Sequence, residues 1–330
     1  MRSGKTAKEY GAGNAPHTRE LLRRRFGSIR SPPLGVVFGT GQLATRFFYA
    51  SMGEGLRAIC IEARHAHKIL KETLNKTDAN DADGLAHLAE AGFYKAVRVK
   101  SFNAMLTRSL VLARSRLLDI STGLRNQIRG IMKTFGLIVP KGAGRVFDHN
   151  VRMLLEENSN LTEIILPLLK AWRDTRKHAA ELDRQLRAAA RQNSAARLLM
   201  SIPGVGTVTS TSFVAAIEDP KAFRNARSVG AWLGLTPRRY QSGEVDYDGH
   251  ISRRGDNRLR GLLYEAATAI LTRTSARHVS RLKDWGLKLR ERLGFKRAAI
   301  AVARKLAVIM HTMLRTGESF DAQGGGAFAP

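Results

Sequence analysis

Two long series of apolar residues recur in steps of four and three, and they confine much of this chain to long paired helices. The first series is Leu106, Leu110, Ala113, Leu117, Ile120, Leu124, Ile128, Ile131 and Phe135. The second is Leu161, Ile165, Leu168, Trp172, Thr175, Ala179, Leu182, Leu186 and Ala189. A repeat of about 3.5 residues sustained over this length places one apolar stripe along each helix, as coiled-coil packing requires. The Gly- and Pro-bearing stretch 136–150 lies between them. The pair therefore closes as an antiparallel hairpin within one chain or pairs between chains; spacing alone allows both. Pro167 lacks an amide hydrogen, so it kinks the second helix or marks its first turn.

The segments before and after this region read differently. Residues 34–100 alternate short apolar runs with amphipathic stretches: strands at 34–38 and 56–61, helices at 41–52, 66–74 and 82–91. That order favours an open α/β sheet covered by helices. Residues 196–316 are rich in Gly and turns and end in an amphipathic helix over 296–314, with Ile300, Ala303, Leu306, Ala307 and Met310 inward. The expected organisation is a basic arm without fixed structure at 1–33, an α/β domain at 34–100, a coiled-coil helical region at 101–195, a mostly helical C-terminal domain at 196–316, and a disordered tail at 317–330. The fold class is α/β plus all-α.

Charge narrows the function. Lys and Arg number 55 against 28 acids, a net charge of +27 over 330 residues. Such an excess repels itself in a compact fold unless an anionic partner neutralises it, and nucleic acid is the usual one. The single cysteine, Cys60, excludes a disulfide framework and a Cys-rich zinc site; its apolar neighbours suggest a buried strand. No run approaches the roughly 20 apolar residues of a membrane span. With no secretory leader, the expected location is the cytoplasm.

Three segments carry candidate chemistry. In Asn75-Lys76-Thr77-Asp78-Ala79-Asn80-Asp81, Asp78 and Asp81 are three apart and share a face if the segment is helical. Paired carboxylates suit a divalent cation such as Mg²⁺ in phosphoryl transfer, or either Asp caps the helix. Ile202-Pro203-Gly204-Val205-Gly206-Thr207 reads as a hairpin between helices. Gly204 and Gly206 let backbone amides approach a phosphate, or simply make a tight turn. The third segment runs from Gly234 through Arg238, Arg239, Tyr240, Ser242 and Gly243 to Ser252, Arg253, Arg254, Asp256 and Arg258. Arginine forks bind phosphate bidentately, and a serine flanked by Gly and Arg can attack a phosphodiester or merely form a turn.

In this order, these blocks resemble the insertion-sequence 110 transposase family. The likeness runs through Gly41-Gln42-Leu43-Ala44-Thr45, Ile59-Cys60-Ile61-Glu62, Lys76-Thr77-Asp78-Ala79-Asn80-Asp81-Ala82 and Val97-Arg98-Val99-Lys100-Ser101. It continues through Ile202-Pro203-Gly204-Val205-Gly206, Trp232-Leu233-Gly234-Leu235-Thr236-Pro237, Ser242-Gly243 and Ile251-Ser252-Arg253-Arg254-Gly255-Asp256, covering roughly 35–315. The resemblance implies a RuvC-like domain of the RNase H fold, a coiled-coil insertion and a C-terminal transposase domain with a helix-hairpin-helix-like element. It implies DNA recombination, with a structured RNA from the element as a partner and a homodimer or higher assembly. By the same resemblance Asp78 and Asp81 match the last two of four Mg²⁺-binding acids. Ser242 best matches the nucleophile, with Ser252 the second choice. Gly204, Gly206, Arg238, Arg239, Arg253, Arg254 and Arg258 are the expected nucleic-acid contacts. The first two acids have no match: no Asp precedes Asp78, and Gly39 stands where the second, a Glu, is expected. The resemblance thus allows either an active transposase or a catalytically inactive nucleic-acid-binding remnant; a basic structural nucleic-acid protein is the remaining alternative.

Overall fold

The computed structural model describes residues 35–70, 77–156, 158–274 and 280–322. The expected arm at 1–33 lies outside them. The chain forms two compact units, divided between Met105 and Leu106.

In the first unit, β1 (Val36–Gly39) pairs in parallel with β2 (Ala58–Ile61), in the register Val36 to Ala58 and Gly39 to Ile61. The crossover is α1 (Ala44–Gly53), whose Phe47 meets Phe38 of β1 edge-on at 4.9 Å. Two helices follow, α2 (Ala63–Leu70) and α3 (Asp78–Glu90). The far side of β2 is also used. Ile61 bridges Ala96, and the Val97 amide donates to the Cys60 carbonyl at 2.8 Å. Cys60 is therefore buried on a central strand, and burial pushes its thiol pKa up. The core is small: Ile61, Ala66 and Leu88, with Val37, Ile59 and Leu85 around them. Among the described residues β1 pairs with β2 alone, leaving its other edge without a ladder.

The expected long helices are α4 (Phe102–Thr134) and α6 (Ser159–Gln192), and the stretch between them holds a further helix, α5 (Arg145–Leu155). Arg114 of α4 pairs with Asp183 near the end of α6, while Ile128 and Met132 share a cluster with Leu161 and Ile165 near its start. The helices are thus antiparallel within one chain. Pro167 lies inside α6.

The buried line on α6 follows the expected series at Leu161, Ile165, Trp172, Ala179 and Leu186. On α4 it differs. Toward its start Leu106 and Ile120 are exposed while Val111, Ser115 and Ser121 are buried; toward its end Ile128 of the expected series is buried, with Leu124 and Ile131 packed on the same cluster. At that end Phe147, Val151 and Leu155 of α5 join the same cluster. Further along, where Arg114 reaches Asp183, a cleft lined by Leu118, Ser121, Thr122 and Ala180 separates the two helices.

The rest of this unit is α7 (Ser194–Leu199), α8 (Thr207–Ile217), a 3₁₀ turn at Pro220–Ala222, α9 (Arg227–Trp232), the hairpin β3 (Pro237–Ser242) with β4 (Val245–Ile251), α10 (Asn257–Thr272), α11 (Arg281–Leu293) and α12 (Phe295–Thr316). Helix α12 runs through the core, burying Ala298, Val302, Ala303, Leu306, Ala307 and Met310. Its small residues allow α10 and α11 to approach closely. Gly317 ends it in the left-handed conformation, as C-terminal glycines commonly do. The described start of the tail is ordered by contacts: Phe320 packs on this core, and its amide donates to Ser201 Oγ at 3.2 Å.

Candidate nucleic-acid interface

The Arg-rich segment is held by two loops packed backbone to backbone. After α9, Gly234 turns the chain at φ +71°, and the Leu235 amide donates to the Gly230 carbonyl at 2.9 Å. On the return from β4, the amides of Ser252 and Arg253 donate to the carbonyls of Thr236 and Gly234 at 2.8 and 3.1 Å. A Cβ at Gly234 would stand 2.3 Å from the Arg254 carbonyl oxygen, and one at Gly255 (φ +77°) would stand 2.2 Å from that of Trp232. These two positions require glycine both for conformation and for space.

A buried arginine closes the joint. Arg260 donates from Nη1 to the carbonyls of Leu233 and Arg254 at 3.0 and 2.9 Å, and from Nη2 to Asn257 Oδ1 at 2.8 Å. Burial lowers its pKa, with Arg253 adding to the effect and Asp256 opposing it. Asp256 caps α10 by accepting from the amides of Arg258 and Leu259 at 2.9 and 3.1 Å, and Arg108 of α4 pairs with it at 3.2 Å. The outcome is a rigid loop on which Arg253, itself at φ +52°, and Arg254 are exposed. Neither Arg260 nor Arg108 stood out in the sequence. The signal available was the Arg258–Arg260 spacing, which points the two side chains in different directions on one helix.

The hairpin above this joint has two chemically distinct faces. The pairs Tyr240–Tyr247 and Ser242–Val245 share one face; Arg239–Asp248 and Gln241–Asp246 share the other. On the second face Arg239 grips Asp246 with two hydrogen bonds of 2.9 and 2.6 Å. That bond raises the Arg239 pKa and holds the Asp246 carboxyl below its ordinary range. Arg239 was expected to meet nucleic acid, yet its fork is already occupied by a carboxylate. Among the described residues Arg238, at the irregularity between Pro237 and Arg239, reaches the Ser252 carbonyl alone, at 3.3 Å. Ser242 sits at the tip, exposed, next to the two-residue turn Gly243-Glu244. Ser252 is half-buried at the base of the hairpin.

The two glycines of the 202–207 segment have different roles. Gly204 (φ +89°) lies against α10, where a Cβ would be 3.0 Å from Ile270 Cγ1 and 3.1 Å from the Ala266 carbonyl oxygen. It too requires glycine for conformation and for packing. Gly206 is exposed at the N-terminus of α8, and a Cβ there would meet no described atom within 4 Å. Beside it runs a cleft lined by Arg114, Arg187 and Arg258, with Asp119, Asp183 and Glu265 among its walls. Among the described residues the Arg258 Nε finds no hydrogen-bond partner.

In the first unit, Asp78 and Asp81 occupy the first and fourth positions of α3. The cap is Thr77, whose hydroxyl accepts from the Asn80 amide at 3.2 Å, so neither Asp is needed for capping. Asp81 is half-buried. The nearby Glu62 is paired with Lys95 at 3.2 Å. Among the described residues no three His, Cys, Asp or Glu side chains stand together as a metal site would need.

Comparison with known proteins places this geometry. The model of the transposase IS116/IS110/IS902 family matches residues 196–282, the span from α7 to the start of α11. The transposase for insertion sequence element IS1111A of Coxiella burnetii is 32% identical over 318 residues, covering 93% of this chain and 85% of that protein. The chain belongs to the IS116/IS110/IS902 transposase family. A probable family 20 transposase of Pseudomonas aeruginosa is 31% identical over 245 residues, 73% of this chain and 72% of its own length. A pilin gene-inverting protein of Moraxella bovis is 28% identical over 186 residues, 53% of this chain and 56% of its own. The family match encloses the glycine joint, Arg260 and the whole hairpin. Among the described residues of this family member no helix is long and apolar enough to cross a membrane.

Proposed function

We propose that this chain is a DNA transposase or site-specific recombinase that cuts and rejoins DNA, with Ser242 as its nucleophile. Similarity to an insertion-sequence transposase along 93% of the chain is the observation that carries this reading. The position of Ser242 supports it: an exposed hydroxyl at the tip of a hairpin whose base bears Arg238, Arg253 and Arg254. In the reaction, Ser242 Oγ attacks the scissile phosphorus. The Oγ–P bond forms, the bond from phosphorus to the sugar oxygen breaks, and the serine proton leaves to a base while the sugar oxygen gains one. The phosphoserine link conserves the energy of the broken bond, so the reverse attack by another sugar hydroxyl rejoins the strand. Arginines at the hairpin base offset the charge that gathers on the phosphoryl oxygens.

RuvC-like descent of the first unit accords with its parallel β1–β2 pair, and Asp78 and Asp81 are its candidate Mg²⁺ ligands. Two carboxylates hold that ion weakly, and no step above depends on it. Net charge of +27 suits a second nucleic-acid partner, a structured RNA, and assembly as a dimer or larger. The test is a covalent protein–DNA adduct trapped on DNA carrying the element's ends. It should vanish in Ser242→Ala and persist in Ser252→Ala; the reverse pattern overturns the assignment. A second reading, a nucleic-acid-binding protein without strand cleavage, is favoured by the absence of any Asp before Asp78. It requires that calorimetry find no tight Mg²⁺ or Mn²⁺ site and that no adduct form.

A further inference from the structure

We propose that Tyr240 and Tyr247 form a stacking platform for unpaired nucleotides of the DNA strand attacked by Ser242. Their rings are stacked across the hairpin, with centroids 5.1 Å apart and planes within 19°. Both remain substantially exposed, at 45% and 56%, as does Val245 at 52%. They share their face with Ser242, because residues two apart on a strand point the same way.

The distribution of charge selects the occupant. The acids of the two strands, Asp246 and Asp248, belong to the other face, and Arg239 neutralises the first of them. Among the described strand residues the tyrosine face thus carries no carboxylate, with Glu244 in the turn beyond it, while Arg238 lies at its base and exposed Arg253 and Arg254 follow the hairpin. A surface of exposed rings beside cations fits a strand whose bases stack and whose phosphates pair. A paired duplex hides its base faces and gains only the cationic part. Gly249 lets the platform form: a Cβ there would stand 3.0 Å from Tyr240 Cε2 and would push the ring aside.

This inference rests on the recombinase reading for its choice of DNA, but its test needs no chemistry. Binding of the full chain to fluorescent oligothymidylate and to a blunt duplex of equal length would be compared at several salt concentrations. In Tyr240→Val/Tyr247→Val, which keeps strand-forming residues, single-strand affinity should fall roughly tenfold or more. Duplex affinity and the salt slopes should stay as in the parent. Tyr240→Phe/Tyr247→Phe should retain the single-strand affinity, and so should Ser242→Ala, even if no adduct is ever found. Equal losses on single strand and duplex would show that the rings merely hold the hairpin and would overturn the proposal. Unchanged single-strand binding, or a ring-dependent preference for oligouridylate over oligothymidylate, would overturn it equally.

Discussion

Arg260 donates to the Arg254 carbonyl at 2.9 Å, so a buried guanidinium fixes the loop that presents exposed arginines. Removing it leaves the carbonyls of Leu233 and Arg254 and the amide oxygen of Asn257 without that donor. Arg260→Met should destabilise the second unit by about 2–4 kcal/mol, because buried acceptors lose charged hydrogen bonds. Arg260→Lys should recover only part of this, since a single ammonium lacks the fork. Urea unfolding checks both, and equal stability of Met and Lys variants would refute the fork's role.

The glycine joint predicts an order of severity. Gly234→Ala and Gly255→Ala each force a Cβ into a backbone carbonyl and should cost more than about 3 kcal/mol. Gly243→Ala has φ +56° but open space and should cost only about 1–2 kcal/mol. Thermal unfolding of the three variants gives the ranking directly.

Arg238 and Arg239 are neighbours in sequence with opposite expectations. Arg239 is engaged by Asp246, whereas among the described residues Arg238 reaches a backbone carbonyl alone. Arg238→Ala should therefore weaken DNA binding and reduce the salt slope by about one, and Arg239→Ala should change both less. Asp246→Asn should strengthen binding by releasing Arg239. Salt titrations of duplex affinity are the measurement; equal effects of the two alanine variants would contradict the pairing.

His311 supplies a pH dependence. It is fully buried in α12, its Nε2 donates to the Pro220 carbonyl at 2.9 Å, and among the described residues its Nδ1 has no partner. Burial is the main cause lowering its pKa, with Arg315 adding to it and the Pro220 bond opposing. The unfolded imidazole, with its ordinary value of 6.5, takes a proton first as pH falls. Stability is thus complete above that value and declines as pH drops through it toward the lower folded value. His311→Gln, which keeps a donor for Pro220, should flatten the stability profile between pH ~7.5 and ~5.5. Persistence of the full decline would assign it to other groups.

Much of the fold could be read from spacing. The apolar series located α4 and α6, and in α12 the expected inward residues Ala303, Leu306, Ala307 and Met310 are buried. On α4 the series held at Ile128 but not at Leu106 and Ile120, because a helix buries whatever face its neighbours reach, and α5 was hidden in a stretch that reads as a loop. Of the candidate site, the blocks themselves could be marked in the sequence, and the structure gathers Ser242 and Arg238 on one hairpin with Arg253 and Arg254 following it. The separate roles of Gly204, in conformation and packing, and Gly206, as an open helix start, were not legible, since the two look alike in the sequence.

The sequence by itself determined that this chain is helical in its middle, strongly basic, and a member of a transposase family, because periodicity, charge and ordered motifs are local properties that survive without coordinates. Only the tertiary structure decided which arginines are available. Arg239 faces Asp246 because of hairpin register, and Arg260 is enclosed because α10 turns that position toward the joint while Arg258 lines a cleft. A guanidinium's role depends on what stands within about 3 Å of it, and that distance is set by contacts between segments far apart in the chain.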